Sequence, residues 1–194
     1  MALKNENNVD KIKRTVGLYN MIPSVIWSVL NLTPIVIYCF TLPGYSILYV
    51  FLVISVIPIF LKNAFLDRLQ IGKKTFIYKK LGVHFVNQVA QNGVLVNKLI
   101  KRKFPDYKVV SIKKYSIAGL IGQTYTFEKF HLMLFVFFTL ITIYAFRRED
   151  ISWAFIILLT NIVYNIYPNL LQQYIRLKLK LFSSKINRQT VAEG

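Results

Sequence analysis

The sequence predicts an all-α integral membrane protein, with four transmembrane helices and a basic, partly amphipathic cytoplasmic loop between the second and the third. Hydrophobic residues make up 55% of the 194 residues, although the formal net charge is +17. A soluble domain of this size rarely combines the two. The apolar residues form four nearly uncharged runs, at 16–42, 45–61, 130–146 and 151–173. Each run approaches or exceeds the roughly 17 to 25 residues that cross a hydrocarbon core.

The first two runs form the predicted N-terminal pair of spans. Pro23 and Pro34 lie within the first run, so we expect an interfacial turn followed by a bent helix. Pro43 and Gly44 predict a tight turn into the second run. The leader before the first run is polar, and the run is too long for the core of a cleavable signal peptide. We therefore expect a retained signal anchor.

The region 62–129 separates the two predicted pairs of spans and has a mixed pattern. Within 86–104, apolar residues recur at helical spacing, and the segment ends in the basic triplet 101–103. This predicts an amphipathic helix that lies on the membrane with its charges toward anionic headgroups. Residues 108–117 partly alternate and contain β-branched side chains, which favours a short strand or an extended interfacial segment.

The positive charges orient the four predicted spans. Of the 25 Lys and Arg residues, all but Arg147 and Arg148 lie before the first span, in the region 62–129 or in the tail 174–194. Because Lys and Arg are retained on the cytoplasmic side, both termini and the central loop are predicted to be cytoplasmic. The same retention explains the basic loop without any specific anionic partner. Nucleic acid is a poorer partner than lipid phosphate, since the charges flank spans and form no separate basic domain.

The composition also narrows the chemistry. Cys39 is the only cysteine and the chain has two histidines, so we expect no disulfide framework, no metal site and no resident cofactor. The sequence contains no phosphate-binding glycine loop, no dinucleotide fingerprint and no nucleophile elbow.

A polar stripe runs along the last apolar segment. Asn161, Asn165, Asn169, Gln172 and Arg176 are three or four residues apart, so a regular helix places them on one face. Polar groups within an apolar segment cost free energy unless another group forms a hydrogen bond or an ion pair with them. The stripe therefore predicts a partner, a cavity or a substrate, and interhelical hydrogen bonds that only hold the bundle together remain the alternative.

A second polar pair stands at the start of the third predicted span. Glu128 and His131 are three residues apart, so a helix brings the carboxylate and the imidazole to one face. A carboxylate can orient an imidazole, and histidine is suited to general-base catalysis near neutral pH. The alternative is that both residues only mark the membrane interface. Antiparallel packing of the third and fourth spans predicts that this pair and the lower end of the stripe lie at the same depth.

These two elements together resemble a known family. The pattern consists of Glu128-x-x-His131, a hydrophobic hairpin, and then Asn165-x6-Gln172-x-Tyr174-x-Arg176 followed by Lys178. Over roughly residues 126–180 it resembles the small bacterial membrane proteins of the glycosyl-4,4'-diaponeurosporenoate acyltransferase family. The chain departs from the family pattern, for example with Leu132 in place of Trp and Gln173 in place of Arg. These departures leave the substrate open.

The resemblance implies a multi-pass protein of the bacterial inner membrane that transfers a fatty acyl group to a hydroxyl of a lipid or glycolipid, such as a carotenoid glycoside. His131 is then the general base and Glu128 its orienting partner. The substrate-binding residues are Asn165, Gln172, Tyr174, Arg176 and Lys178, of which the cationic ones would attract the phosphates of a donor such as acyl-CoA. His84 is an outside candidate.

A non-catalytic role competes with this interpretation. The stripe would then pack against a partner protein, and the chain would be a scaffold or lipid-binding subunit of a larger complex. A transporter is disfavoured because no acidic residue lies in the middle of a span. Four helices make a thin bundle, so homo-oligomerisation or a membrane partner stays open.

Overall fold

The computed structural model describes residues 2–89, 94–105 and 117–192, and it is helical wherever this part of the chain has regular structure. The helices are α1 (Ala2–Phe40), α2 (Ser46–Ser55), α3 (Asn63–Arg68), α4 (Thr75–Lys80), α5 (Val83–Val89), α6 (Val94–Lys103), α7 (Ile117–Arg147), α8 (Ile151–Asn161) and α9 (Tyr167–Ala192). A short 3-10 helix (Ile57–Phe60) follows α2, and a π-helical turn (Ile162–Ile166) joins α8 to α9. The predicted all-α class is confirmed for the described residues.

Among the described residues, three stretches of helix, not four, are long and apolar enough to cross a membrane. They are Arg14–Phe40, Ile117–Arg147 and Ile151–Ile186. The predicted second span is the shorter apolar segment Ser46–Phe60, whose α-helix ends at Ser55. Pro58 explains the break, since a proline within a helix removes a backbone donor and crowds the preceding turn.

The long helices extend beyond the predicted spans. α1 runs through Pro23 and Pro34 without a break, so the predicted interfacial turn is wrong. α7 begins at Ile117 instead of residue 130, and the last helix continues to Ala192. Hydropathy marks only the apolar part of a helix, whereas backbone hydrogen bonding continues into polar sequence.

The bundle consists of α1, the segment Ser46–Phe60, α7 and the helix formed by α8, the π-turn and α9. These elements pack around a common core, and their outer faces are apolar. The buried core residues include Ile35 and Tyr38 of α1, Phe138 and Ile141 of α7, and Ile157 of α8. Many large apolar side chains remain exposed, as hydrocarbon surroundings would require.

The segment Ser46–Phe60 joins the two ends of the helical bundle. At one end, the Tyr38 hydroxyl donates to Asp150 at 2.9 Å, beside the turn between α7 and α8. At the other end, Asp67 accepts hydrogen bonds of 2.9 Å from Tyr125. The chain therefore passes from the first end to the second between Tyr38 and Asp67, along α2 and the 3-10 helix, which both pack against α7.

The central region folds back onto the bundle. Of the amphipathic helix predicted over 86–104, the end of α5 and the whole of α6 are described, and residues 90–93 between them lie outside the described residues. The amphipathic character itself is present in α6, where Val96 and Ile100 are buried while residues 101–103 are exposed. Of the segment predicted as a short strand, residues 108–116 lie outside the described residues, and Ile117 begins α7.

Candidate functional site

A column of polar side chains lies between α7 and the helix formed by α8, the π-turn and α9. On the second of these, the buried polar residues are Asn161, Asn165, Asn169, Gln173 and Arg176. The two helices are antiparallel, because residues later in α7 contact residues earlier in its partner. The predicted convergence of the third and fourth spans is therefore present in the fold.

The lower end of the column is centred on Glu128, which is only 1% exposed. One carboxylate oxygen accepts a hydrogen bond of 2.8 Å from Gln173 Nε2, and the other accepts one of 2.5 Å from Arg176 Nη1. Both oxygens are thus engaged by α9. The predicted pairing of Glu128 with His131 does not form, because the carboxylate faces α9 instead of the next turn of its own helix.

Arg176 is fully buried and touches more than Glu128. Its guanidinium carbon lies 4.1 Å from the centre of the Tyr125 ring, and its Nε lies 3.4 Å from Asp67. Lys180 also approaches Asp67, at 3.4 Å. Two carboxylates and an aromatic face thus surround Arg176, although its Nε and Nη2 are buried without a hydrogen bond of good geometry among the described residues. Its role in donor binding stays a prediction.

Gln173 extends this cluster to the central region. Its Oε1 accepts hydrogen bonds from the Tyr78 hydroxyl at 3.1 Å and from the Ile71 amide at 3.4 Å. The Tyr78 hydroxyl also lies 3.2 Å from the Gly72 carbonyl. Burial raises the pKa of Tyr78 above its usual value. Gln173 therefore ties α4 and the loop before it to the Glu128–Arg176 pair.

The π-turn explains why Gln173, and not Gln172, faces the column. The prediction assumed unbroken α-helical periodicity from Asn161 to Arg176, in which Gln172 falls on the polar face. A π-turn contains one more residue than an α-turn, so it rotates everything after it by about 100° relative to that expectation. Gln172 is consequently turned to the side and only half-buried, while Gln173 is buried. Pro168, which has no N–H for the carbonyl four residues earlier, stands just after the turn.

The upper end of the column is a chain of amides. Asn161 Nδ2 donates to Thr139 Oγ1 at 3.1 Å and lies 3.2 Å from the Phe135 carbonyl. Asn165 Nδ2 donates to Asn161 Oδ1 at 2.8 Å. Asn161 thus forms interhelical hydrogen bonds that hold the bundle together, which is the alternative to a ligand site that the sequence left open.

His131 lies between the two ends of the column. Its ring packs edge-on against that of Tyr164, with centroids 5.9 Å apart, and the Asn165 side chain approaches it. His131 Nδ1 and Asn165 Oδ1 are both buried and make no hydrogen bond of good geometry within the described structure. Buried polar atoms usually have partners, so this pair can receive another polar group, and His84 Nδ1, Asn169 Oδ1 and Arg176 Nη2 are buried without a hydrogen bond as well.

The other predicted site residues lie at the edge of the column. Tyr174 is buried against Tyr78, with ring centroids 6.2 Å apart. Lys178 is exposed and its Nζ lies 4.7 Å from the centre of the Tyr174 ring. His84 stacks beside Phe85 on α5, and α5 packs on α9. Sequence reasoning missed Asp67, Tyr78, Tyr125 and Gln173.

The described residues contain no group of three His, Cys, Asp or Glu side chains arranged to hold a metal ion. Buried amides, one imidazole and one ion pair remain as the polar groups of the column. An imidazole next to an amide can accept a proton from a hydroxyl and keep its orientation while doing so.

Comparison with known proteins identifies the family of this chain. Residues 62–185 match the profile of the glycosyl-4,4'-diaponeurosporenoate acyltransferase family. The chain belongs to this family. The match includes the whole polar column, α3 to α7 and most of α9, and it confirms the resemblance predicted from the sequence. Neither a curated protein nor a solved structure matches the chain. Family membership supports an acyltransferase function and a place in a membrane.

Proposed function

We propose that this protein transfers a fatty acyl group to a hydroxyl of a lipid or glycolipid acceptor at the membrane interface, with His131 as general base. The observation that carries the proposal is the place of His131. It lies in the middle of the polar column, its Nδ1 is buried without a hydrogen bond, and the unpaired Oδ1 of Asn165 is beside it. A reacting hydroxyl that donates its proton to Nδ1 would be held in place for proton transfer by these two atoms.

In the reaction, His131 removes the proton of the acceptor hydroxyl as its oxygen attacks the carbonyl carbon of an acyl thioester. The tetrahedral intermediate collapses with loss of the thiolate, and the imidazolium returns the proton to the sulfur. The products are an ester and a thiol, and no redox step occurs. Asn165 takes the orienting role that the sequence assigned to Glu128.

The Glu128–Arg176 pair acts as a positioning element in this proposal. It fixes α7 against α9, and through Asp67 and Gln173 it also fixes the central region. An offset of one helical turn would separate His131 from Asn165, and errors of about 1 Å in a reacting geometry can cost roughly a hundredfold in rate.

The membrane setting follows from charge and length. We infer that the basic end of the bundle faces the cytoplasm of a bacterium, since it holds the exposed Lys178, Lys180 and residues 101–103. The segment Ser46–Phe60 then crosses as a short fourth span, and both termini are cytoplasmic. Exposed lysines attract the phosphates of a donor such as acyl-CoA. A carotenoid glycoside is the acceptor class that the family description favours.

Substitution of His131 tests the proposal. His131→Ala should lower acyl transfer by roughly 10²- to 10⁴-fold, the usual contribution of a general base. The measurement is the amount of acylated glycolipid in lipid extracts of a host that supplies the acceptor, normalised to the amount of folded protein in the membrane.

The matched control is His84→Ala, which removes the other histidine. His84→Ala should retain acylated product if its protein level is normal. An unchanged lipid profile for His131→Ala would refute the general-base assignment. Complete loss of product in both variants, with both proteins folded, would give His131 no role distinct from that of His84 and would also contradict the assignment.

A further inference from the structure

An apolar groove runs along the bundle beside His131, between α1, the segment Ser46–Phe60 and α7. Two adjoining cavities of about 260 and 250 Å³ make up the groove. They share four lining residues, Ile35, Val36, Leu52 and Phe137, so they are continuous. Almost every other lining residue is also apolar.

One end of the groove begins next to the proposed general base. Met133 and Leu134 line the nearer cavity, and Leu134 follows His131 by three residues on α7, which places the two side chains on neighbouring parts of one face. On the opposite wall, Ser28 lies 3.3 Å from the Tyr164 hydroxyl, and Leu32 lines the groove one turn further on. The groove therefore begins about one helical turn from His131 along α7.

The other end of the groove lies away from the basic end of the bundle. Cys39, Phe40 and Tyr45 line the farther cavity, close to the turn between α1 and α2. The lining residues of α1 run from Leu32 to Phe40, which corresponds to about 12 Å along a helix, and the level of Ser28 lies about 6 Å before Leu32, so the whole path is about 18 Å. This length is close to that of an extended long-chain fatty acyl group.

We propose that the groove binds the hydrocarbon tail of the fatty acyl group and so determines the chain length that the protein accepts. The inference rests on the proposed function, because it places the acyl carbonyl at His131 and the methyl end near Cys39 and Tyr45. An apolar lining provides no hydrogen bonds, so length and width are the only properties it can select. Because the groove is straight and ends at the turn between α1 and α2, it limits the length of the acyl chain.

A narrowing substitution tests the selection of chain length. Leu52 lines both cavities, and Leu52→Trp should fill the space between them. The acylated product should shift from long to shorter chains, with the ratio of the two falling about tenfold, because displacing one or two methylenes from an apolar site changes affinity by that order. The control is Val53→Trp, which adds the same side chain at the neighbouring residue, which is 72% exposed and lines neither cavity.

Photolabelling tests the same groove without requiring catalysis. The probe is a palmitate with a diazirine at its methyl end, added to the full-length protein in lipid nanodiscs. Labelling of the peptide that contains Cys39 and Tyr45 should be saturable and should be displaced by unlabelled palmitate but not by octanoate. Labelling at lipid-facing positions such as Val53 should be insensitive to either competitor.

The two measurements separate the groove from the catalytic proposal. Saturable labelling without any acyl transfer would uphold the groove and reject the reaction. Transfer with an unchanged chain-length profile in Leu52→Trp would uphold the reaction and reject the groove. Labelling that follows only the exposed surface, with no competition, would show bulk lipid chains against the helices and would also reject the groove.

Discussion

Breaking the buried Glu128–Arg176 pair should destabilise the protein far more than removing both partners together. Glu128 is 1% exposed and Arg176 is fully buried, so either residue alone leaves an uncompensated charge inside the bundle. Loss of one partner of such a pair costs about 3 to 5 kcal/mol. The cost of Glu128→Leu should lie at the lower end of this range, because Asp67 still approaches Arg176. Arg176→Met should lie at the upper end, because it also removes the contact with the Tyr125 ring.

The double variant Glu128→Leu/Arg176→Met removes both charges and leaves none unpaired. Replacement of a buried ion pair by apolar residues is often nearly neutral, so two smaller losses remain. One is the cation–π contact with Tyr125, at about 2 kcal/mol or less, and the other is the acceptor of Gln173 Nε2, a loss that Glu128→Leu shares. The expected result is therefore strong non-additivity, with each single variant less stable than the double variant.

Thermal unfolding in detergent micelles measures these differences. The single variants should lose roughly 6 to 20 °C in apparent Tm, from the usual conversion for a chain of this size. Heated samples are separated by size exclusion, and the remaining folded peak is quantified. Arg188→Met, which removes an exposed arginine of the same helix, serves as control and should change little. A double variant that costs the sum of its single substitutions would refute the reasoning.

Three further predictions concern the contacts and the helix register around the cluster. Gln173→Leu should destabilise the protein by about 1 to 3 kcal/mol because it leaves buried partners unsatisfied, whereas Gln172→Leu should be within about 0.5 kcal/mol of wild type by the same unfolding assay. Above pH 10, the unperturbed pKa of tyrosine, stability should fall as the unfolded chain ionises more readily than buried Tyr78, and Tyr78→Phe should reduce that fall in a pH series. Deletion of Val163 within the π-turn should still yield folded protein, because it restores an α-turn and keeps the later register. Deletion of Leu179, which lies in regular α-helix, should not yield folded protein, because it changes the register of the residues that follow. Size exclusion of the purified proteins measures both outcomes.

Much of the fold was predictable because hydropathy and charge act over whole segments. The apolar runs predicted α7 and the helix that follows it, and their antiparallel packing placed Glu128 level with Arg176. The approach of His131 to the stripe followed from the same topology. Each of these inferences depends on the average character of many residues, so single irregularities did not disturb them.

The details of the site depended on local backbone events that a periodic pattern does not contain. Because the π-turn contains one extra residue, Gln173 faces the polar column where Gln172 was predicted. A pattern of polar residues spaced by three and four positions does not reveal such a turn. Asp67 and Tyr78 entered the site from the central region, where the sequence has short helices and weak periodicity. Glu128 faces α9, because a fully buried arginine there offers a stronger partner than a neighbouring imidazole does.

The pairing of Glu128 with Arg176 has a consequence for how the protein is made. The two residues are separated by 48 positions, so the third long helix is synthesised well before its counter-charge exists. Until Arg176 arrives, α7 holds a carboxylate that lacks its counter-charge at the end of an apolar segment. Chains truncated before Arg176 should therefore fail membrane quality control, and the last helix decides whether the earlier ones stay in the bilayer.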